Sequence, residues 1–163
     1  MIVYLLRHGD AGDPRAQDDD ARELTDKGRR RLRNAASLWR RLRVDPGLVI
    51  SSPLPRAAQT AELLVEGLRT GQQVIIDDRL RPGAGWPHLA AALEDHGPAE
   101  RVAFVGHDPD LSDTLEELSG AASIGLRKGG MACLEFAGEP RPGGGRLRWL
   151  LDPDLYRDDP AHG

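Results

Sequence analysis

Three short segments of the sequence carry its chemistry-bearing residues. Arg7, His8 and Gly9 stand together; Arg56 lies within Ser51-Ser52-Pro53-Leu54-Pro55-Arg56-Ala57-Ala58-Gln59-Thr60-Ala61-Glu62; and His107 lies within Val105-Gly106-His107-Asp108-Pro109. Two arginines and two histidines gathered around one small volume would suit a phosphoryl group. Planar guanidinium forks meet its oxygens bidentately and at fixed geometry. Histidine can attack phosphorus and carry the group covalently. A second histidine donates to an equatorial oxygen when protonated, a state that a neighbouring phosphate favours. Gly9 would let the main chain approach the anion with no side chain in the way. Each segment alone is weak, because Arg-His-Gly occurs by chance and a single histidine at a strand end is ordinarily a hydrogen-bonded surface residue. The three together, each following a strand, make a specific signal.

The elements that must position these residues can be read from hydrophobic spacing. Residues 2–6 form a continuous apolar run, the pattern of a strand buried on both faces. Residues 9–24 are polar and acidic and read as a long surface loop. Thr25 is placed to cap a helix over 26–43, with Leu32, Ala35, Ala36, Trp39 and Leu42 as its apolar stripe. Pro46-Gly47 breaks that helix. A second strand over 48–51 leads into a helix through about residue 69, with Ala57, Ala61, Leu64, Val65 and Leu68 inward. Residues 74–76 read as a third strand and 77–86 as a loop. Pro87 suits the first position of a short helix burying Leu89, Ala92 and Leu93. Residues 102–105 read as a fourth strand, and Leu111, Leu115 and Leu118 mark a helix ending at Gly120. Residues 131–137 and 146–151 read as an antiparallel hairpin, and the last ten or so residues as a loosely held tail. Strands alternating with helices predict an α/β fold, a mostly parallel sheet with an antiparallel edge, whose ligands gather at the carboxyl ends of the strands.

Composition narrows the classes of function. The chain has 163 residues with 22 Lys+Arg against 26 Asp+Glu, a formal net charge of −4. That length suits one domain, 1–163, with a core large enough to need no metal or disulfide staple. Arginine carries nearly all the basic charge, but the densest stretch, residues 29–43, is the wet face of the first predicted helix. With a negative net charge and no aromatic platform, no nucleic-acid partner is expected. The opening apolar run is too short for a membrane span or a signal peptide, so no membrane association and a cytoplasmic address are expected. One cysteine, Cys133, excludes an internal disulfide framework and a multi-cysteine zinc site.

The three segments also resemble a family. The sequence is similar to the histidine phosphatase superfamily, which includes phosphoglycerate mutases, acid phosphatases and SixA-type phosphohistidine phosphatases, from Ile2 to about Asp110. The resemblance implies a three-layer α/β/α sandwich. It implies that His8 becomes phosphorylated, that Arg7 and Arg56 hold phosphoryl oxygens, and that His107 is the second histidine of the pocket. Leu24-Thr25 followed by Gly28 resembles the family's turn into its first helix. No cofactor and no metal are implied.

Compact length and the opening Leu-Arg-His-Gly-Asp-Ala are most similar to the SixA group. Mutases and many phosphomonoesterases of the family carry a carboxylate in the loop after the third strand. Here that loop reads Arg79-Leu80-Arg81-Pro82-Gly83-Ala84-Gly85-Trp86, without an acid. An alkyl ester must expel a poor alkoxide leaving group, so a positioned acid matters greatly. A phosphorylated imidazole can be protonated by solvent and leave neutral, which demands less of the enzyme. The expected activity is therefore hydrolysis of phosphohistidine on a protein partner such as a phosphotransfer domain. The alternatives are a phosphatase for small phosphate esters, with Asp10, Asp77, Asp78 or Asp108 as acid, and a non-catalytic phosphate-binding module.

Other conspicuous residues have plainer readings. Asp18, Asp19 and Asp20 read as solvated loop acids, and His88, His96 and His162 as surface residues. Cys133, Trp39 and Trp149 read as packing. Trp86 is open between core and pocket rim. Residues 143–145 read as a hairpin turn rather than a phosphate-cradling loop.

Overall fold

The continuous apolar runs are strands covered on both faces. The computed structural model describes residues 1–15 and 18–156. Its strands are β1 (Ile2–Arg7), β2 (Leu48–Ser51), β3 (Val74–Ile76), β4 (Arg101–Gly106), β5 (Met131–Glu135) and β6 (Arg146–Leu151), in the spatial order β3-β2-β4-β1-β5-β6. The first four lie parallel; β5 runs antiparallel to β1 and β6 antiparallel to β5. The hairpin expected at the C-terminal edge is β5–β6, and β6 forms the outer strand.

Alternation along the strands sorts the core into two layers. Tyr4, Leu6, Val49, Ala103, Val105 and Met131 face α1 (Asp26–Arg41) and α2 (Pro55–Leu68). Val3, Leu5, Ile50, Val102, Phe104 and Ala132 face α3 (Trp86–His96) and α4 (Asp110–Ser119). This is the α/β/α sandwich. Leu32, Ala35, Ala36 and Trp39 are buried on α1 as their spacing predicts, while Leu42 lies past the helix end and is exposed. Thr25 caps α1, its Oγ1 accepting from Gly28 N at 3.0 Å. Among the described residues, no helix is long and apolar enough to cross a membrane.

Several expectations change. α3 begins at Trp86 rather than Pro87, and Trp86 is buried among Leu80, Ala84 and Leu89, so it belongs to the core. The chain end is not loose throughout. Pro153 and Tyr156 are buried, and Tyr156 Oη donates to Gly129 O at 2.8 Å while its ring packs edge-on against Trp39. These apolar contacts outweigh the polar composition of that stretch; the rest of the expected tail, with His162, lies outside the described residues. Cys133 is buried in the core, where burial pushes its thiol up to about 11.

Candidate active site

Strand order explains why three remote segments meet. β4 lies between β1 and β2, so the carboxyl ends of all three are neighbours, spaced at ~4.8 Å per strand. The ladders run one step past the strands: His8 N donates to Gly106 O and Ser52 N to Val105 O, both at 3.0 Å. His8, Ser52 and His107 thereby start from fixed main-chain positions.

The two histidines face one another. Their ring centroids are 5.3 Å apart with the planes inclined at 59°. His8 Nδ1 lies 2.8 Å from Gly9 O. A carbonyl can only accept, so Nδ1 carries the proton and Nε2 keeps its lone pair. Burial, with the charges of Arg56 and Arg7 adding to it, lowers the His8 pKa to about 4. The ring is neutral near pH 7, the form a nucleophile needs. His107 is also buried, with Nε2 2.7 Å from Ser52 Oγ. Burial, reinforced by His8 and Arg56, lowers its pKa to about 3. The protein's own groups therefore disfavour the protonated state expected for His107, which a phosphoryl dianion beside the ring would favour.

Both arginines reach the cluster from different elements. Arg56 sits in the first turn of α2, just after Pro55, with its side chain only 3% exposed. Arg7 ends β1; its NH1 donates to Leu126 O at 2.8 Å and lies 3.5 Å from Asp108 Oδ2. Arg7 Nε, Arg56 Nε and His107 Nδ1 are buried with no hydrogen-bond partner among the described residues. Unpartnered buried polar groups cost about 1–3 kcal/mol each, and their concentration here marks a place built to meet a ligand.

Four residues, Ser52, Thr60, Asp19 and Arg22, were missed by sequence reasoning. Ser52 meets His107, and Thr60 ties the His8 loop to α2. Asp19 is not simply solvated: its carboxylate and carbonyl engage Arg56, and its carboxylate also engages Arg22. The spacing of Asp19 and Arg22, three residues apart before Leu24-Thr25, was the available signal. Gly9 also has a different reason from the one expected. A Cβ there would lie 2.8 Å from Leu32 Cδ1 and 3.1 Å from Leu24 Cδ2, so the position is small because α1 packs against it.

The candidate acids separate by their partners. Asp77 is held well below the usual carboxylate range by hydrogen bonds from Arg79, with His96 adding to them. Burial opposes the shift at Asp10, but Thr25 and Lys128 still keep it below its ordinary value. Asp78 pairs with Arg81. Asp108 alone of the four touches a catalytic candidate, Arg7. A cleft of about 310 Å³ adjoins Gly9 on the α1 side, lined by the cations Arg7, Lys27, Arg31, Arg127 and Lys128, of which Arg127 and Lys128 are paired with Asp152 and Asp10. It excludes His8, Arg56 and His107. Among the described residues, no group of three or more His, Cys, Asp and Glu side chains is placed to hold a metal ion.

The family model for the histidine phosphatase superfamily (branch 1) matches residues 3–110. An uncharacterised protein of Picosynechococcus sp. is 31% identical, over 96% of this chain and 94% of its own. Among solved structures, a protein histidine phosphatase SixA complexed with tungstate aligns with a TM-score of 0.79 and 25% identity, covering 96% of this chain and 100% of that one. A protein from Agrobacterium tumefaciens, provisionally named phosphohistidine phosphatase SixA, aligns at 0.77 and 26%, covering 93% and 97%. A mycobacterial glucosyl-3-phosphoglycerate phosphatase complexed with VO3 aligns at 0.67 and 25%, covering 90% and 96%. The chain belongs to the histidine phosphatase superfamily. Within that superfamily it is a phosphatase of SixA-like form.

Proposed function

We propose that this phosphatase hydrolyses phosphohistidine on a protein partner through a covalent intermediate on His8. The observation that carries the covalent step is the His8 ring: neutral, with Nδ1 committed to Gly9 O, and beside the ring of His107. Nε2 of His8 attacks phosphorus in line. The P–N bond of the substrate breaks, and its imidazole leaves after protonation by solvent. Water then attacks phospho-His8, releasing inorganic phosphate and restoring the neutral ring. Arg7, Arg56 and His107, protonated once the phosphoryl group is bound, stabilise charge on the equatorial oxygens. Such catalysis is positioning and electrostatics for the most part.

The choice of a P–N bond is supported by the acids. The loop after β3 has none beyond Asp78, and Asp77 and Asp78 are engaged by Arg79 and Arg81. One observation favours a second reading, hydrolysis of small phosphate esters: Asp108 lies 3.5 Å from Arg7 and adjoins His107. The deciding experiment compares phosphate release from a phosphohistidine-bearing phosphotransfer domain with release from a panel of phosphomonoesters, with acid-quench trapping of the phosphoenzyme. Faster turnover of the phosphohistidine protein is expected, with label on His8. A wide preference for esters would replace the substrate but keep the nucleophile. His8→Ala is expected to be inactive, and Arg7→Ala and Arg56→Ala to lose on the order of 10²–10³ in rate. Normal turnover by His8→Ala would end the reading.

A further inference from the structure

The carboxylate of Asp19 lies between two guanidinium groups. Its Oδ2 is 3.1 Å from Arg56 NH2, and its Oδ1 accepts from Arg22 NH2 at 2.6 Å and Arg22 Nε at 2.9 Å. Its main-chain carbonyl accepts from Arg56 NH1 at 2.6 Å. The two arginine side chains are 3% and 13% exposed, whereas that of Asp19 is 51% exposed. An anion from the surface thus reaches two nearly buried cations. The charges of Arg56 and Arg22 both act on His8 and on His107, so Arg22 stands within electrostatic reach of the reacting rings. Charge-assisted donors converging on one anion beside a neutral nucleophile are what a phosphoryl oxygen requires.

The attachments of Asp19 differ from those of Arg22. Asp19 belongs to the 3-10 turn Asp19–Ala21, of which no residue is buried. Apart from the arginines of the site, the side-chain contacts of this turn are exposed ones: Asp18 Oδ1 accepts from Asp20 N at 3.4 Å, and Asp20 lies 3.6 Å from Arg81. A segment held by exposed polar contacts opens at small cost. Arg22 has a second hold, because its NH1 donates to Gly12 O at 3.0 Å. Gly12 is at the base of the loop, which the Ala11–Leu24 bridge and the bond from Gly12 N to Glu23 O clamp shut. Buried Leu24 is fixed further by its N–H to Gln59 Oε1 at 2.9 Å. Arg22 is joined to the turn by its N–H to Asp19 O at 3.3 Å, but its bond to Gly12 and the clamp behind it are independent of the Asp19 carboxylate.

We propose that Asp19 is a resident anion of the phosphate cup, displaced by the incoming phosphoryl group, and that Arg22 then serves as a third guanidinium on that group. This rests on the reading of the cup given above and extends it to two residues outside the three motif segments. Without Asp19, the half-buried Arg22 and the buried Arg56 would stand as neighbouring like charges. Burial lowers the pKa of Arg56, Asp19 opposes that shift only in part, and the charge of Arg22 adds to the lowering. The resident carboxylate offsets part of the positive charge of the cup and raises the threshold for weak anions. A dianion with three oxygens outcompetes it.

The test is calorimetric titration of the wild type, Asp19→Asn, Asp19→Ser, Arg22→Gln and Arg56→Gln with inorganic phosphate. Exchange of a resident charge predicts that both Asp19 variants bind phosphate more tightly, by about tenfold, and that Arg22→Gln binds it more weakly by a similar factor. A merely positioning carboxylate gives the opposite sign, since losing it would leave Arg56 misplaced. Equal or weaker binding by both Asp19 variants, or unchanged binding by Arg22→Gln, overturns the proposal. Arg56→Gln separates the two levels of the argument. If it binds phosphate as well as the wild type does, the cup is wrong; if it alone loses binding, the cup stands and only the exchange fails.

Discussion

The hydroxyl of Thr60 accepts from Gly9 N at 3.1 Å and donates to Arg56 O at 2.7 Å. One buried oxygen therefore couples the loop behind His8 to the helix that carries Arg56, across 51 residues of sequence. Thr60→Val keeps the shape and removes both bonds, leaving Gly9 N buried and unpaired. A loss of about 1–3 kcal/mol in stability is expected. Turnover is expected to fall about tenfold or more through misplacement of His8, with a smaller change in KM. Urea unfolding and steady-state kinetics on the same preparation check this, and an unchanged kcat would show that Thr60 is structural only.

Gly28 meets the same loop from α1. A Cβ at this position would lie 2.3 Å from Asp10 O and 3.0 Å from Asp10 N, both main-chain atoms with no side-chain freedom to yield. Gly28→Ala is expected to destabilise the protein by at least roughly 1–3 kcal/mol despite the better helix propensity of alanine. Thermal melts decide it; a raised Tm would show that the loop moves freely.

Acid stability follows from the buried histidines. His8 and His107 have folded pKa values of about 4 and about 3, below the ~6.5 of the unfolded chain. Between those values the unfolded state binds more protons. Stability is thus fully present above pH ~6.5 and declines as pH falls toward 4, by up to roughly 1.4 kcal/mol per pH unit per histidine. Urea midpoints at pH 7 and pH 5 are expected to differ less in His107→Gln than in the wild type. Identical slopes would show that His107 is not buried neutral.

Binding should pull the other way on the same groups. A phosphate dianion beside His107 favours the imidazolium, so phosphate binding is expected to take up protons that the free site does not hold. Calorimetry with inorganic phosphate at pH 6.5, in two buffers of different ionisation enthalpy, measures this. His107→Gln is expected to take up fewer protons than the wild type; comparison at one pH cancels the ionisation of phosphate itself.

Local chemistry was legible in the sequence wherever the cause is local. The core strands stand out because both faces are covered, which leaves uninterrupted apolar residues at 2–6 and 102–105. Thr25 is visible as a cap, and Gly120, with φ of 71°, as the left-handed end of α4. Leu42 and Trp86 were misread or left open because burial at a helix end depends on what lies opposite.

Sequence alone determined the residue types needed to hold and attack a phosphoryl group, and that each follows a strand. Only the tertiary structure decided that β4 is inserted between β1 and β2, which sets Arg7, His8, Arg56 and His107 in adjacent positions. It also decided that Asp19 pairs with both Arg56 and Arg22 and that burial lowers the His107 pKa. The reason is physical: side-chain type is written residue by residue, whereas desolvation and the pairing of charges depend on distances that only the packed sheet fixes.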